Sequence, residues 1–446
     1  MAISMLTFAT TLLLCIPFWF LPWCHLNLSS LIKEGQFHIA QRQSRHGIQG
    51  VESYSGYLTV DERYDSNMFF WFFPAENKPD APVLLWLNGG PGRSSMYGAL
   101  LENGPLALNE QGRLERRKVP WTKSFSMLYV DNPVGVGYSY TTNDEGFSKT
   151  TEDISRNLYS VLVQFFKMFP GYAKNSFYVG GQSYACKFAF PLGRYIHDRN
   201  NDLSDRPEVD INLKGLYMGG GFCDPVNMYP AFYDFFFNFG VITYNNREDR
   251  RDIASEMVKG IWMTTPEGDI LTKRRIEVLA PKLDSYDNIL GAEATNTRMQ
   301  TVLDDFLARC ETRVLLRAGF VQKDQRKQWD KAVININDNF LASTSSDNAF
   351  LMEHYKVLHF SGNLDVAVSV PMVEAFLQHV QWSSREHFLN SSRELWYLNG
   401  ELAGWYTTAG NLNRVIVRNA GHNVPYDQPE RALAMMERFV AGEFVM

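Results

Sequence analysis

The sequence predicts an α/β fold. Two observations carry that expectation. Short apolar runs bounded by turn residues recur along the chain, and helical patterns lie between them, an alternation that packs as a mainly parallel sheet flanked by helices. A third observation refines it. The rhythm stops near residue 226 and resumes near 354, which reads as a mostly helical insertion within the α/β domain.

The apolar runs are 68–73, 82–87, 127–130, 177–179, 213–218, 356–360 and 415–417. Those after the first are apolar on both faces, as strands of a buried parallel sheet require. The clearest helix covers 151–169. Ile154, Leu158, Val161, Leu162, Phe165, Phe166 and Phe169 recur at spacings of three and four, Glu152 and Asp153 occupy the first turn, and Pro170 ends it. Further helices are expected over 184–197 and 429–440. Within the insertion, Phe232, Phe236 and Phe239 fall on one helical face.

Composition bounds the function. The 446 residues suit two or three domains, or one large domain with an insertion. With 45% hydrophobic and 21% charged residues, the chain is globular rather than disordered. Lys+Arg 43 against Asp+Glu 49 gives a net charge of −6, which argues against a nucleic-acid partner. Five cysteines are too few for a disulfide scaffold, and an odd count leaves at least one thiol without an intrachain partner. No CxxC, CxxH or HExxH spacing occurs, so no metal site and no cofactor are expected.

The first charged side chain is Lys33, and residues 12–21 are almost wholly apolar. Residues 1–24 read as a secretory signal peptide, although a basic start and an A-x-A cleavage site are missing. No later run is long and apolar enough to span a membrane, so no membrane anchor is expected once that segment is removed. Asn27 and Asn390 open glycosylation sequons.

Gly181-Gln182-Ser183-Tyr184-Ala185 directly follows the strand 177–179 and opens a helix. A tight strand-to-helix turn needs small residues on both sides of its apex, here Gly181 and Ala185. It lifts the Ser183 hydroxyl above the sheet and aims the Tyr184 N–H at developing negative charge. The plain alternative is an ordinary turn serine. A serine nucleophile needs a base, and the base needs a carboxylate. Of nine histidines, His422 lies on a loop after the strand 415–417, where open α/β sheets carry their sites, whereas His359 sits within a strand and reads as core. Asp365 follows the strand 356–360 in the same way, with a helix cap before Pro371 as its plain alternative. The order Ser183, Asp365, His422 is the order of α/β hydrolases. Gly89-Gly90-Pro91-Gly92 follows the strand 82–87 and supplies backbone N–H groups for a second oxyanion donor. A phosphate cradle is excluded there, because no Lys-Ser/Thr or GxGxxG follows.

These residues resemble the serine carboxypeptidase family, especially its vitellogenic-like branch. The resemblance rests on six spaced segments: Trp86 to Gly92, Glu102 to Pro105, Val130 to Gly135, Gly181 to Lys187, Ser361 to Asp365, and Gly421-His422 through Asp427-Gln428-Pro429. It implies an α/β-hydrolase fold with an inserted cap, the core being residues 25–225 and 354–446 and the cap 226–353. It implies release of single C-terminal residues from peptides and proteins, with Ser183, Asp365 and His422 as the triad and Gly90 and Tyr184 as the oxyanion donors. Asn88, Gly89, Glu102 and the residue at 182 would hold the substrate's terminal carboxylate. Secretion or a lysosomal destination follows from the same resemblance. Homodimers occur in the family, but that state does not carry over on sequence alone.

The sequence departs from the family pattern at three places. Gln182 stands where the family has Glu, Cys186 where it has Gly, and Arg93 where most members have Cys. The changes at 182 and 93 make the site about two charges more positive. An amide N–H donates without needing a proton, so Gln182 is expected to bind the substrate carboxylate with less dependence on acid. Cys186 is expected to be a buried thiol, inert or redox-sensitive, and Cys223 with Cys310 is the open pairing between core and cap. Two other readings compete with the peptidase: a catalytically weakened relative with a binding or storage role, and an acyltransferase or esterase using the same triad.

Overall fold

The computed structural model describes residues 26–240, 243–245, 295–319, 325–337 and 340–444. Residues 1–24, expected to be a signal peptide, lie outside them, with Cys15 and Cys24.

Thirteen strands are present among the described residues: β1 (Arg45–Ile48), β2 (Val51–Asp61), β3 (Ser66–Phe73), β4 (Val83–Leu87), β5 (Leu106–Leu108), β6 (Leu114–Arg116), β7 (Ser126–Val130), β8 (Phe177–Gln182), β9 (Leu213–Gly219), β10 (Lys356–Gly362), β11 (Glu394–Leu398), β12 (Glu401–Ala409) and β13 (Leu412–Val417). Eleven form one sheet in the order β1-β2-β3-β7-β4-β8-β9-β10-β13-β12-β11, and β5 pairs with β6. The centre, from β7 to β13, is parallel throughout. Both flanks are antiparallel. The seven apolar runs fall on β3, β4, β7, β8, β9, β10 and β13. The flanking strands β1, β2, β11 and β12 were not expected. Their burial alternates or is incomplete, so they carry no continuous apolar run.

The helix Thr151–Met168 begins in a capping box, in which the Thr150 hydroxyl accepts from Asp153 N and the Asp153 carboxylate accepts from Thr150 N. Such a cap contributes about 1 kcal/mol. Its apolar stripe, including Ile154, Leu158, Val161 and Phe165, is buried against the sheet, with the Phe165 ring 4.9 Å from that of Phe72. The second predicted helix starts later than expected. Ser183–Ala185 form a 3-10 turn and the α-helix runs Cys186–Asn200, because the turn at Ser183 must finish before helical hydrogen bonding begins. The C-terminal helix covers Pro429–Ala441 and closes on Gly442 in the left-handed region.

Between β9 and β10 the described residues are helical or irregular, without a strand of the main sheet. Phe232 and Phe236 are buried, but Phe239 stands at the C-terminal cap of its helix and is exposed. This segment sits on the loops beyond the strand ends. Trp329 Nε1 donates to Gly92 O at 2.7 Å and Gln325 Nε2 to Gly137 O at 2.6 Å. Asn27 is bound into the fold: its Nδ2 donates to Thr59 Oγ1 and Asn67 Oδ1, both at 2.8 Å. A glycan would replace one of the two hydrogens on that nitrogen, so at least one of these bonds would have to break. Asn390 is exposed at the end of the helix Arg385–Asn390.

Candidate active site

Ser183 follows β8 directly and has φ +63, a left-handed conformation rare for a residue with a side chain. The crossing around it explains its neighbours. A Cβ on Gly181 would lie 2.0 Å from Leu87 O and 3.0 Å from Ala185 Cβ. Only small residues fit on either side, and the strained serine is therefore more than a turn residue.

Asp365 and His422 meet at the ends of β10 and β13. His422 Nδ1 lies 2.9 Å from Asp365 Oδ2, while Asp365 Oδ1 accepts from Val368 N at 2.9 Å. Asp365 is fully buried and His422 nearly so. The carboxylate is thereby fixed by one oxygen and turned to the imidazole with the other. Gly220 makes room for the pair. A Cβ there would sit 2.8 Å from Asp365 Oδ2 and 3.0 Å from His422 Nδ1. The sequence reading passed over Gly220, although the run Gly219-Gly220-Gly221 at a strand end was a signal for it. The next residue but one, Phe222, donates its N–H to Ser183 O at 3.0 Å.

The glycine loop lies against the turn that carries Ser183. A Cβ on Gly89 would be 2.5 Å from Tyr184 N and 3.0 Å from Ser183 Cβ, so the loop reaches Ser183 only as bare backbone. Gly90 has φ +115, which glycine adopts without strain. Asp131 anchors this loop, accepting from Ser94 Oγ and Ser95 N on one oxygen and from Tyr138 N on the other.

Asn88 is held rigidly. Its Oδ1 accepts from Trp86 Nε1 and Gly98 N, both at 3.0 Å, and its Nδ2 donates to Glu102 Oε1 at 3.0 Å. Glu102 is buried, and its Oε2 has no partner among the described residues. Burial pushes its carboxyl up to about 7, against the opposing influence of Asn88 and of the charge on Arg93.

Two expectations are corrected. Gln182 is beside the site, but its Nε2 donates to His422 O at 2.5 Å and to Asn423 Oδ1 at 2.7 Å. Both amide hydrogens are engaged by the chain, so none is left for a substrate carboxylate. Cys186 is not a thiol. It forms a disulfide with Cys223, and Cys310 is free and exposed. The bond joins the helix after Ser183 to the loop after β9, and Thr344 covers it, donating its N–H to Cys223 O at 2.9 Å.

A parallel-centred sheet bearing a strained serine after β8, an acid after β10 and a histidine after β13 defines an α/β-hydrolase fold. Residues 45–442 match the serine carboxypeptidase family, and the chain belongs to that family. It is 35% identical over 433 residues to the venom serine carboxypeptidase of Apis mellifera, covering 93% of this chain and 90% of the relative. It is 32% identical over 439 residues to the vitellogenic carboxypeptidase of Aedes aegypti, covering 94% and 90%. The crystal structure of Kex1(delta)p, a prohormone-processing carboxypeptidase from Saccharomyces cerevisiae, shares the fold with a TM-score of 0.73 at 20% identity, covering 88% of this chain and 92% of that one.

Proposed function

We propose that the chain hydrolyses the C-terminal peptide bond of peptides and proteins through a Ser183 acyl-enzyme. One observation carries this: Gly89, which follows Asn88 of the buried Asn88–Glu102 pair, lies against Ser183, and His422 of the His422–Asp365 pair is near enough for Glu102 to feel its charge. His422 keeps a proton on Nδ1 toward Asp365 and accepts the Ser183 proton on Nε2. Ser183 Oγ attacks the scissile carbonyl, and the N–H groups of Gly90 and Tyr184 stabilise the oxyanion. His422 then protonates the leaving amine, the C–N bond breaks, and a free amino acid departs. Water, deprotonated by His422, hydrolyses the ester. Protonated Glu102, Asn88 and the Gly89 backbone hold the terminal carboxylate, while Gln182 positions the His422 loop.

In this reading residues 226–353 form a cap over the core of 25–225 and 354–446. The chain enters the secretory pathway through the signal peptide 1–24 and is secreted or lysosomal. The charge-free start supports that route, and no helix among the described residues is long and apolar enough to cross a membrane. Rings of Phe222 and Phe340 stack on Tyr184 at 6.4 and 5.9 Å, an aromatic wall next to Ser183 that favours an apolar side chain before the scissile bond.

The test is amino-acid release from an N-blocked dipeptide between about pH 4 and 8, with Ser183→Ala as control. Release abolished in Ser183→Ala supports the reading. Fluorophosphonate labelling of Ser183 without peptide turnover supports the acyltransferase or esterase reading, and neither labelling nor turnover supports the weakened relative.

A further inference from the structure

Arg93 is built into the active-site loop. Its N–H closes the turn on Gly89 O at 3.0 Å, and its guanidinium carbon lies 4.5 Å above the ring of Tyr97. The side chain is half-buried, yet among the described residues its guanidinium makes no hydrogen bond or ion pair. A guanidinium carries five donors in a planar fork that suits a carboxylate. Among the described residues none of these donors is engaged, and an aromatic face lies beneath the fork.

The position is specific. Tyr97 precedes Gly98, whose N–H binds Asn88 Oδ1, so the Arg93–Tyr97 stack lies next to the Asn88–Glu102 pair. The charge of Arg93 is felt by Glu102. Arg93 does not pair with Glu102, however, and it stands over Tyr97 rather than within the pocket formed by Asn88 and Glu102. A substrate's terminal carboxylate at Glu102 would therefore leave the guanidinium free for a second acid on the same residue. Among the described residues, a second acid that feels Arg93 is Asp304, which is exposed and accepts from Gln300 Nε2 at 2.8 Å.

We propose that Arg93 binds the side-chain carboxylate of a C-terminal glutamate or aspartate, and gives the enzyme a preference for acidic C-terminal residues. This rests on the carboxypeptidase reading and deepens it by naming a substrate class. Competition from Asp304 limits the preference to about tenfold, the range of one charge-assisted pair that is partly open to water.

The test compares kcat/KM for N-blocked Phe-Glu, Phe-Gln and Phe-Leu at about pH 6, where the substrate's glutamate side chain is ionised. The Glu/Gln pair is nearly isosteric, so its ratio reads charge. The expected wild-type ratio is about ten, falling several-fold at about 0.5 M salt. In Arg93→Gln it falls to about one, in Arg93→Lys most of it returns, and in Arg93→Glu it drops below one. Should the variants fail to fold, the wild-type ratio and its salt dependence decide alone. Equal cleavage of Phe-Glu and Phe-Gln by the wild type, or a ratio that survives Arg93→Gln, overturns the proposal while leaving the carboxypeptidase intact. Absence of release from all three dipeptides overturns the underlying activity instead.

Discussion

Gln182 Nε2 lies 2.5 Å from the main-chain oxygen of His422. The residue before Ser183 is thus tied to the residue proposed as its base. Because Asn423 Oδ1 takes the second amide hydrogen, the tie needs a donor with two hydrogens. Gln182→Glu offers at most one, and only while protonated. Its ionised form would face two oxygens, so the alkaline limb of kcat/KM should move to lower pH than in the wild type. A pH–rate profile of both proteins checks this. An unmoved limb would show that the contact does not position His422.

Glu102 sets a separate pH dependence. Its carboxyl is raised to about 7 chiefly by burial, so it is protonated below that pH and ionised above it. In the proposed role the protonated acid donates to a substrate carboxylate, and the anion repels it. KM should therefore rise as pH increases through about 7, with kcat changing less. Glu102→Gln should flatten this rise. The same shift makes folding stability fall between about pH 4.5 and 7, because the folded chain binds the proton more tightly than the unfolded one. Urea unfolding of Glu102→Gln should lose that slope.

Gly220 is the spacer of the His422–Asp365 pair. In Gly220→Ala the new methyl would meet Asp365 Oδ2 at 2.8 Å, in a backbone region of φ +47 that alanine adopts only with strain. Displacement of the pair should lower kcat by roughly 100-fold, with a smaller effect on KM. A kcat within about twofold of wild type would mean that the pair tolerates a shift.

The Cys186–Cys223 bond closes a loop of 37 residues. Loop-closure entropy for that length is about 4 kcal/mol. Cys186→Ser and Cys223→Ser should each destabilise the chain by up to about that amount, and the double variant should cost little more than either single one. Cys310→Ser should be near neutral, since that thiol is exposed. Denaturant unfolding together with thiol titration distinguishes this pairing from one that uses Cys310.

Much of the fold was legible because its central strands are buried on both faces and read as continuous apolar runs. The edges were not. In β2 and β12 polar and apolar residues share the strand, and period-two patterns of that kind blur into turns. The contact of His422 with Asp365 was legible because each follows a strand end. The Cys186–Cys223 bond was not, since spacing along the chain says nothing about a helix start meeting a strand exit across a sheet. Gln182 was misread for a related reason. Its residue type announces donors, but which atoms receive them depends on the His422 backbone and on Asn423, which only the folded chain brings near.

The central claim is that Ser183 acts on chains held by their terminal carboxylate. It is tested most directly by following an N-blocked pentapeptide and its C-terminal amide by mass spectrometry. The account predicts stepwise loss of single C-terminal residues from the free acid, little or no cleavage of the amide, and no reaction of either with Ser183→Ala. Equal cleavage of acid and amide, or a cut at an internal bond, would contradict it.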